Sequence, residues 1–423
     1  MKSTLVLLAG LALFLLSFGC GGAEVDTGPY DLLLQGGHVI DPKNGIDGPR
    51  DVAITAGKIA RVAESIPAES AERVVDVSGL YVTPGLIDLH VHVYAGTGLK
   101  GVLTGDSSVY PDGFTFRTGV TTVVDVGSSG WRVFEDFKDR VIDRVKTRVL
   151  VMLNIAGGGM GPDGEDDPEE MDAEKTAEMA KKYPDIIVGV KTAHYGGPEW
   201  VSVERAVEAA DLAGIPVMVD FGGNHPEKRP IGELFLEKLR PGDIYTHMYS
   251  GLRVELNEEG HINPSMFEGR KRGIFFDVGH GGGSFTWRVA VPAYKEGFPP
   301  DTISTDLHIG SMNGGMKTMD NVMSKILNLG SSLAEVIKMS TWNPAQQIKR
   351  ADLGHLSEGA VADLAVLRLD KGDFGFLDVK NMTYKGDQLL KTELTIREGK
   401  VMWDLNGRAG EDWETFYARE ETQ

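Results

Sequence analysis

The stretch VTPGLIDLHVH, residues 82–92, is the most informative segment of this sequence. Its apolar residues form a short run of the kind expected for a buried parallel strand, and the run ends in His90-Val91-His92. Because side chains alternate along a strand, the two histidines are predicted to lie on the same face. Two imidazoles placed in this way can reach one metal ion.

The segment after this run alternates between strand-like and helix-like patterns. Eight short apolar runs predict strands: Leu86 to Leu89, Thr121 to Val124, Arg148 to Leu153, Ile186 to Val190, Pro216 to Val219, Asp243 to Tyr245, Ile274 to Phe276 and Thr302 to Thr305. Helical spacing marks Val133 to Val145, Ala173 to Lys182, Val203 to Ala213, Glu233 to Leu239 and Trp287 to Lys295. This alternation, over roughly the 250 residues typical of the fold, predicts a (β/α)8 TIM-type barrel in the α/β class.

Short strands broken by glycine-rich turns flank the predicted barrel on both sides. Residues 24–85 carry Gly36-Gly37 and Asn44-Gly45 between such strands, and residues 355–423 have the same texture. We predict that the two pieces form one small β-sandwich domain. The barrel is then assigned to residues 86–354.

Residues 1–23 have the pattern of a signal peptide. Lys2 precedes an apolar run from Leu5 to Phe18, and small residues follow. The run is short for a membrane span, although an uncleaved anchor is the alternative. Cys20 lies among the small residues that follow this run and resembles the lipid-attachment site of bacterial lipoproteins. We therefore predict an exported protein, periplasmic or extracellular, whose only membrane attachment would be a lipid on Cys20.

Composition excludes several classes of function. The 62 acidic and 43 basic side chains give a net charge of −19, which repels a phosphate backbone, so no nucleic-acid partner is expected. Cys20 is the single cysteine, so neither an internal disulfide nor a cysteine-based metal cluster can form. Any metal must be held by histidine, carboxylate or lysine chemistry.

Titratable side chains follow the predicted strands at one end. Besides the histidine pair, they are Lys191 after the fourth run, Asp220 after the fifth, His247 after the sixth, Asp277 and His280 after the seventh, and Asp306 after the eighth. In a (β/α)8 barrel the carboxyl ends of the strands carry the active site. These residues are therefore predicted to converge on one barrel mouth.

With these motifs the sequence resembles the amidohydrolase superfamily, and within it the deacetylase and dihydroorotase-like metallohydrolases. The resemblance spans nearly the whole chain after residue 23. It implies that His90, His92 and Asp306 bind one divalent metal and that His247 binds a second. It also implies that Lys191 is carboxylated on its amine and bridges the two ions.

The fifth strand departs from the family pattern. Where the resembling enzymes usually have a histidine that binds the second metal, this chain has Asp220. A carboxylate oxygen still ligates divalent ions, so we predict Asp220 as a ligand, with His225 and His194 as spare donors. Zinc, two ions per chain, is the expected cofactor, and the changed ligand keeps Mn²⁺ and Fe²⁺ open.

The resemblance implies hydrolysis of an amide, cyclic amide or acyl ester bond of a small polar substrate by metal-activated hydroxide, with Asp306 as general base and then general acid. His280 is predicted to contact the substrate or its oxyanion, and a loop histidine that caps backbone is the alternative. The competing function is a catalytically silent metal-binding barrel acting as a surface binding protein. A lyase or isomerase using the same metals is a third option.

Three further features complete the sequence-based expectations. The acidic run from Asp163 to Glu170 is predicted to be a solvated loop. His308, two residues after Asp306, is ambiguous, because alternation would place it on the same face. Association into homo-oligomers is compatible with the resemblance and is left open.

Overall fold

The computed structural model describes residues 29–420. The predicted signal peptide and Cys20 lie outside these residues. Within the described part, no helix is long and apolar enough to cross a membrane.

The described strands and helices are numbered in chain order. The strands are β1 (Leu32–Asp41), β2 (Ile46–Thr55), β3 (Lys58–Ala63), β4 (Val74–Asp76), β5 (Tyr81–Pro84), β6 (Leu86–Val91), β7 (Val120–Gly130), β8 (Arg148–Asn154), β9 (Ile187–Thr192), β10 (Val217–Val219), β11 (Ile244–Tyr245), β12 (Phe275–Phe276), β13 (Leu364–Leu377), β14 (Thr383–Arg397) and β15 (Lys400–Asp404). The α-helices are α1 (Phe134–Phe137), α2 (Ala173–Lys182), α3 (Val201–Ala213), α4 (Ile231–Glu233), α5 (Pro264–Lys271), α6 (Trp287–Lys295), α7 (Ile309–Met312), α8 (Met319–Leu329), α9 (Leu333–Met339), α10 (Trp342–Gln347) and α11 (Trp413–Glu420).

The two terminal pieces of the chain form one sheet together. It has eight strands in the order β15-β14-β13-β5-β1-β2-β3, with β4 paired to β1. The seam between the pieces is the antiparallel pair β5–β13, in which Thr83 lies opposite Ala365. The expected union of the termini is therefore present as a single hydrogen-bonded sheet, while a two-layer sandwich stays a prediction.

The longest hairpin of this sheet is β13–β14, and the sequence of its outer half is not typical of a strand. Its outer half contains Lys371, Gly372 and Asp373, which are more typical of a loop. Helix α8 holds it extended: the Asn328 amide oxygen accepts hydrogen bonds from two backbone N–H groups of β14, at Asp387 and Gln388. A contact between elements distant in sequence thus overrides the local pattern.

The central segment forms a parallel sheet of seven strands in sequential order, β6 to β12. These strands correspond to the first seven predicted runs. The eighth run is not a regular strand, but residues 302–307 lie between the two ends of the sheet through single parallel bridges, Asp277 to Thr302 and Val91 to Leu307. The sheet is therefore curled, and its last segment returns to its first strand.

The helices follow the predicted spacing closely, since α2 and α6 coincide with the predicted ranges. The predicted helix at Val133 to Val145 is shorter, because α1 passes directly into a π-helical turn at Lys138–Ile142. Residues 231–238 repeat this arrangement, with α4 followed by a π-helical turn. These helices cover one face of the parallel sheet.

The strands of the parallel sheet are buried on both faces. Ile87 and Leu89 belong to an inner apolar cluster, whereas Leu86 and Val91 pack in the larger cluster shared with the helices. This switch of faces coincides with a register shift in the β6–β7 pairing between Asp88 and Val91. The irregularity lies at the end of β6 that carries the two histidines.

Candidate metal centre

The predicted site residues lie at the carboxyl ends of the parallel strands. The residues are His90 in β6, His92 one residue beyond it, Lys191 in β9, Asp220 directly after β10, His247 two residues after β11, and Asp306 in the segment 302–307. All six are buried. The expected convergence of these side chains on one end of the sheet is thus present in the structure.

His90, His92 and Asp306 form a compact set of metal-ligating atoms. Asp306 Oδ1 lies 3.1 Å from Nε2 of His92 and 3.6 Å from Nε2 of His90. Among residues 29–420, this is the one group of three or more such side chains whose ligand atoms all lie within 4.8 Å of one another. Atoms bound to one Zn²⁺ at about 2.0–2.2 Å have similar mutual spacings.

Hydrogen bonds on the far side of each ring fix the orientation of the two histidines. His90 Nδ1 lies 3.0 Å from Thr246 Oγ1, and that hydroxyl donates in turn to Asp277. His92 Nδ1 lies 2.9 Å from Ser128 Oγ. Both Nε2 atoms are therefore left for Asp306 and a metal, which is the usual arrangement around ligating imidazoles.

Burial keeps these rings neutral. It lowers the pKa of His92 to about 4 and holds the pKa of His90 well below its usual range. Burial would raise the pKa of Asp306, but the hydrogen bond with His92 and the nearby histidines outweigh burial and lower that pKa. Neutral imidazole and ionised carboxylate are the protonation states that bind metal.

Lys191 has an environment that an ammonium group does not suit. Its side chain is 0% exposed, and Nζ has no hydrogen-bond partner. Burial lowers the pKa of this amine, against the opposing charges of Asp220 and Asp306. A buried amine that has no hydrogen-bond partner and a lowered pKa fits carboxylation, because a carbamate offers oxygen ligands that an ammonium group lacks. The residues present therefore fit a metal-bridging lysine.

Asp220 lies among basic side chains. Its Oδ2 is 3.4 Å from His247 Nε2 and 3.5 Å from His194 Nε2, and its Oδ1 is 3.7 Å from an Arg253 nitrogen. Burial would raise the pKa of Asp220, but the charge and hydrogen bond of His247 outweigh it and hold that pKa well below its usual range. The spare donor His225 is turned away, with Nε2 on the carbonyl of Gly196.

Strained backbone is concentrated at this site. Asp306, His247 and His194 have φ values of 50°, 65° and 53°, and Phe221, next to Asp220, has 58°. Left-handed φ values are uncommon for residues with a Cβ and are often found at functional sites. The surrounding fold thus holds these side chains in directions that a relaxed backbone does not provide.

His280 is placed differently from the prediction. Its ring is buried and stacked on Phe285, with Nδ1 on the carbonyl of Gly281 and Nε2 2.6 Å from Lys325 Nζ. Both ring nitrogens are occupied inside the protein, so the ring offers no free atom to a substrate. The geometry corresponds to the alternative, a histidine that holds its own loop. The flanking glycines of that loop contact His247 and Asp306.

Two supporting residues were missed by sequence reasoning. Lys325 on α8 is fully buried beneath His280, a position that helical spacing alone does not distinguish from an exposed lysine. Glu165 belongs to the acidic run predicted to be solvated, yet it is buried and its Oε2 lies 2.7 Å from His194 Nδ1. That prediction was wrong at Glu165. His308 caps α7 by accepting from Gly310 N, which resolves its ambiguous position.

Comparison with known proteins agrees with this geometry. A family model described as "Amidohydrolase family" matches residues 300–403, which include Asp306. A protein named "Deacetylase" from Brucella anthropi is 32% identical over 331 residues, covering 76% of this chain and 80% of that protein. The solved structure of an adenine deaminase has a TM-score of 0.80 at 28% identity, covering 89% of this chain and 100% of that one. A dihydroorotase structure has a TM-score of 0.76 at 27% identity, covering 88% and 97%.

Proposed function

The chain belongs to the amidohydrolase superfamily of metal-dependent hydrolases that act on C–N bonds, and from this premise we propose that it hydrolyses an amide, a cyclic amide or an acyl ester of a small polar molecule, with Asp306 as the proton-transferring residue. The observation that carries the proposal is the buried His90–His92–Asp306 set, whose ligand atoms converge within 4.8 Å.

His90, His92 and Asp306 would hold the first divalent ion, and Lys191, Asp220 and His247 would hold the second. When bound, such ions act as Lewis acids and make water a stronger acid near neutral pH. Zn²⁺ is the proposed metal, since two histidines and a carboxylate are common zinc ligands. Mn²⁺ and Fe²⁺ remain alternatives because of Asp220.

Asp306 is placed to accept and return a proton. The pKa of its carboxyl is lowered, which keeps the group ionised near neutral pH, and 11% of its side chain is exposed. Asp88 holds the adjoining backbone, because its carboxylate accepts hydrogen bonds from the N–H and the hydroxyl of Thr305. A fixed carboxylate at the reacting centre can serve first as general base and then as general acid.

Two further features, one of the sheet and one of the N-terminal sequence, extend the proposal. We propose that the segment 302–307 completes an eight-element (β/α)8 barrel, supported by its bridges to both ends of the parallel sheet. We also propose that the protein is exported, either free or anchored by a lipid on Cys20. This proposal rests on the pattern of residues 1–23 alone.

The test is Asp306→Asn, assayed with acylated amino acids, cyclic amides and acyl esters after loading with Zn²⁺. We expect turnover to fall by at least about 100-fold, the lower range for loss of a general base, with unchanged circular dichroism. Metal content is measured on the same sample, to separate loss of the base from loss of the ion. Asp139→Asn, which alters an exposed ion pair with Arg144, is the control. Full activity in the Asp306 variant would overturn the mechanism.

A further inference from the structure

We propose that the aromatic face of helix α11, formed by Trp413, Phe416 and Tyr417, rests on a lipid bilayer composed mainly of zwitterionic lipids. The inference rests on one part of the proposed function, the export of a chain that is anchored by a lipid on Cys20. It adds a second contact with the same membrane, and this contact is made by a folded part of the protein.

The first support is the composition and exposure of the helix. Trp413, Phe416 and Tyr417 are spaced at i, i+3 and i+4, so they lie on one face of α11. Their exposed fractions are 67%, 39% and 56%, and α11 has no buried residue. Tryptophan and tyrosine are enriched at membrane–water interfaces, because each has an apolar ring with a polar group. The aromatic face therefore has the composition of a bilayer contact.

The second support is the position of α11 beside the first described residues. Tyr30 forms a parallel bridge with Ala71, and the N–H of Leu33 donates to the Arg73 carbonyl. The Arg73 guanidinium donates in turn to the carbonyl of Ala409, four residues before α11 begins. These contacts place the start of the described chain and the segment that leads into α11 at the same end of the sheet.

The reach of the chain connects this end of the sheet to a membrane. Pro29 follows Cys20 by nine residues, and an extended chain spans at most about 3.3–3.6 Å per residue, so a lipid on Cys20 would hold Pro29 within about 30 Å of the bilayer. The four residues from Ala409 to Trp413 add at most about 14 Å. The anchor therefore keeps the aromatic face within reach of the membrane.

The third support is the charge around the aromatic face, which indicates the kind of lipid. Residues 411–420 contain four acidic side chains and one basic side chain, a net charge of −3. The whole chain has the same sign, with a net charge of −19. Both charges repel anionic headgroups, whereas a zwitterionic surface does not oppose contact. Apolar and aromatic burial would then supply the attraction.

The experiment uses the protein isolated from the cell envelope, with its N-terminus and the lipid on Cys20 established by mass spectrometry. It is mixed with vesicles of phosphatidylcholine and phosphatidylethanolamine whose acyl chains carry bromine, a quencher of tryptophan fluorescence. Trp413 is the one exposed tryptophan among residues 29–420, so it is the tryptophan that these lipids can reach. We expect quenching in the wild type, its loss in Trp413→Phe and its persistence in the matched control Trp403→Phe.

A second variant tests the aromatic face without removing the fluorescent reporter. In Phe416→Ser/Tyr417→Ser, we expect the ratio of quenched to unquenched Trp413 fluorescence to fall by at least about 10-fold, the effect of losing the burial of one large apolar side chain. Replacing about half of the lipid with phosphatidylglycerol should also reduce the quenching, because its headgroup is anionic. Equal quenching by the two lipid mixtures would overturn the assignment to zwitterionic lipids.

The remaining outcomes separate this inference from the anchor on which it rests. A lipid on Cys20 without quenching of Trp413 refutes the bilayer contact and leaves the anchor. Quenching in a chain that carries no lipid refutes the anchor and leaves the contact, and the absence of both refutes both. A blue shift of Trp413 fluorescence that grows with protein concentration in the absence of vesicles would show that the face packs against a second copy, which also overturns the inference.

Discussion

Replacing Lys325 with methionine removes a buried amine from beneath the loop that carries His280. Nζ lies 2.6 Å from His280 Nε2 and donates to the Gly315 carbonyl at 2.6 Å. Methionine occupies a similar volume but leaves both acceptors unsatisfied, at a cost of about 1–3 kcal/mol. That part of the effect does not depend on pH.

A second, pH-dependent part follows from the titration of the amine. Burial lowers the pKa of Lys325 to about 7, whereas a lysine in an unfolded chain titrates near about 10.4. Below about pH 7 both states hold the proton, and the native state carries the full cost of a buried charge. Above it the unfolded state binds more protons, so the stability of the wild type rises with pH. From about pH 6 to about pH 9 this amounts to about 3 kcal/mol.

The assay is urea denaturation of the wild type and Lys325→Met at about pH 6 and about pH 9, followed by circular dichroism. Methionine does not titrate, so we expect the advantage of the wild type to grow by about 3 kcal/mol between the two conditions. Lys338→Met, which removes an exposed lysine from the neighbouring helix α9, is the control. A difference between wild type and Lys325→Met that is the same at both pH values would refute a neutral Lys325.

Two further substitutions test the packing around the site and between the sheets. Gly281→Ala places a Cβ against Asp306 Oδ2 at a position with φ 55°, so we expect Zn²⁺ affinity at the first site to fall by at least about 10-fold in a chelator competition assay. The control is Gly283→Ala, where a Cβ meets nothing within 4 Å. Equal Zn²⁺ affinities in the two variants would contradict the reasoning. Asp363→Ala leaves Arg148 and Arg397 without the carboxylate that lies 2.5 and 3.2 Å from them. In urea denaturation we expect its free energy of unfolding to fall by about 3–5 kcal/mol, and that of the exposed control Asp143→Ala by less than about 1 kcal/mol. Similar losses in the two variants would count against a buried ion pair.

The sequence was most informative where local periodicity and burial agree. Strands β6, β8 and β9 and helices α2 and α6 were predicted closely, because each has continuous apolar residues or a clear helical repeat. Strand β7 continues to Gly130, beyond its predicted end at Val124. The short strands β10 to β12 were located but not bounded, since only two or three residues of each run are paired. The eighth run, Thr302 to Thr305, is not a regular strand, because the segment 302–307 makes only one bridge to each end of the sheet.

Glu165 and Lys325, the buried residues that hold His194 and His280, could not be found from local periodicity. Glu165 lies in a run of acidic residues and Lys325 on an ordinary helix, and composition indicates a solvated position for both. Each is buried because a distant element supplies a partner: His194 for Glu165 and His280 for Lys325. Burial of a charged residue is a property of the assembled fold, so local sequence carries little signal of it.

The sequence by itself determined the family, the parallel sheet with its metal-binding end, and the identity of the side chains gathered there. The family followed from the resemblance of the motifs. The gathering of the side chains was predictable because strand periodicity and the common direction of parallel strands place strand-end residues together regardless of the loops. The tertiary structure alone decided that His280 faces Lys325 and that His194 faces Asp220. Those directions depend on left-handed backbone conformations and on hydrogen bonds between loops far apart in the chain, which no local pattern encodes.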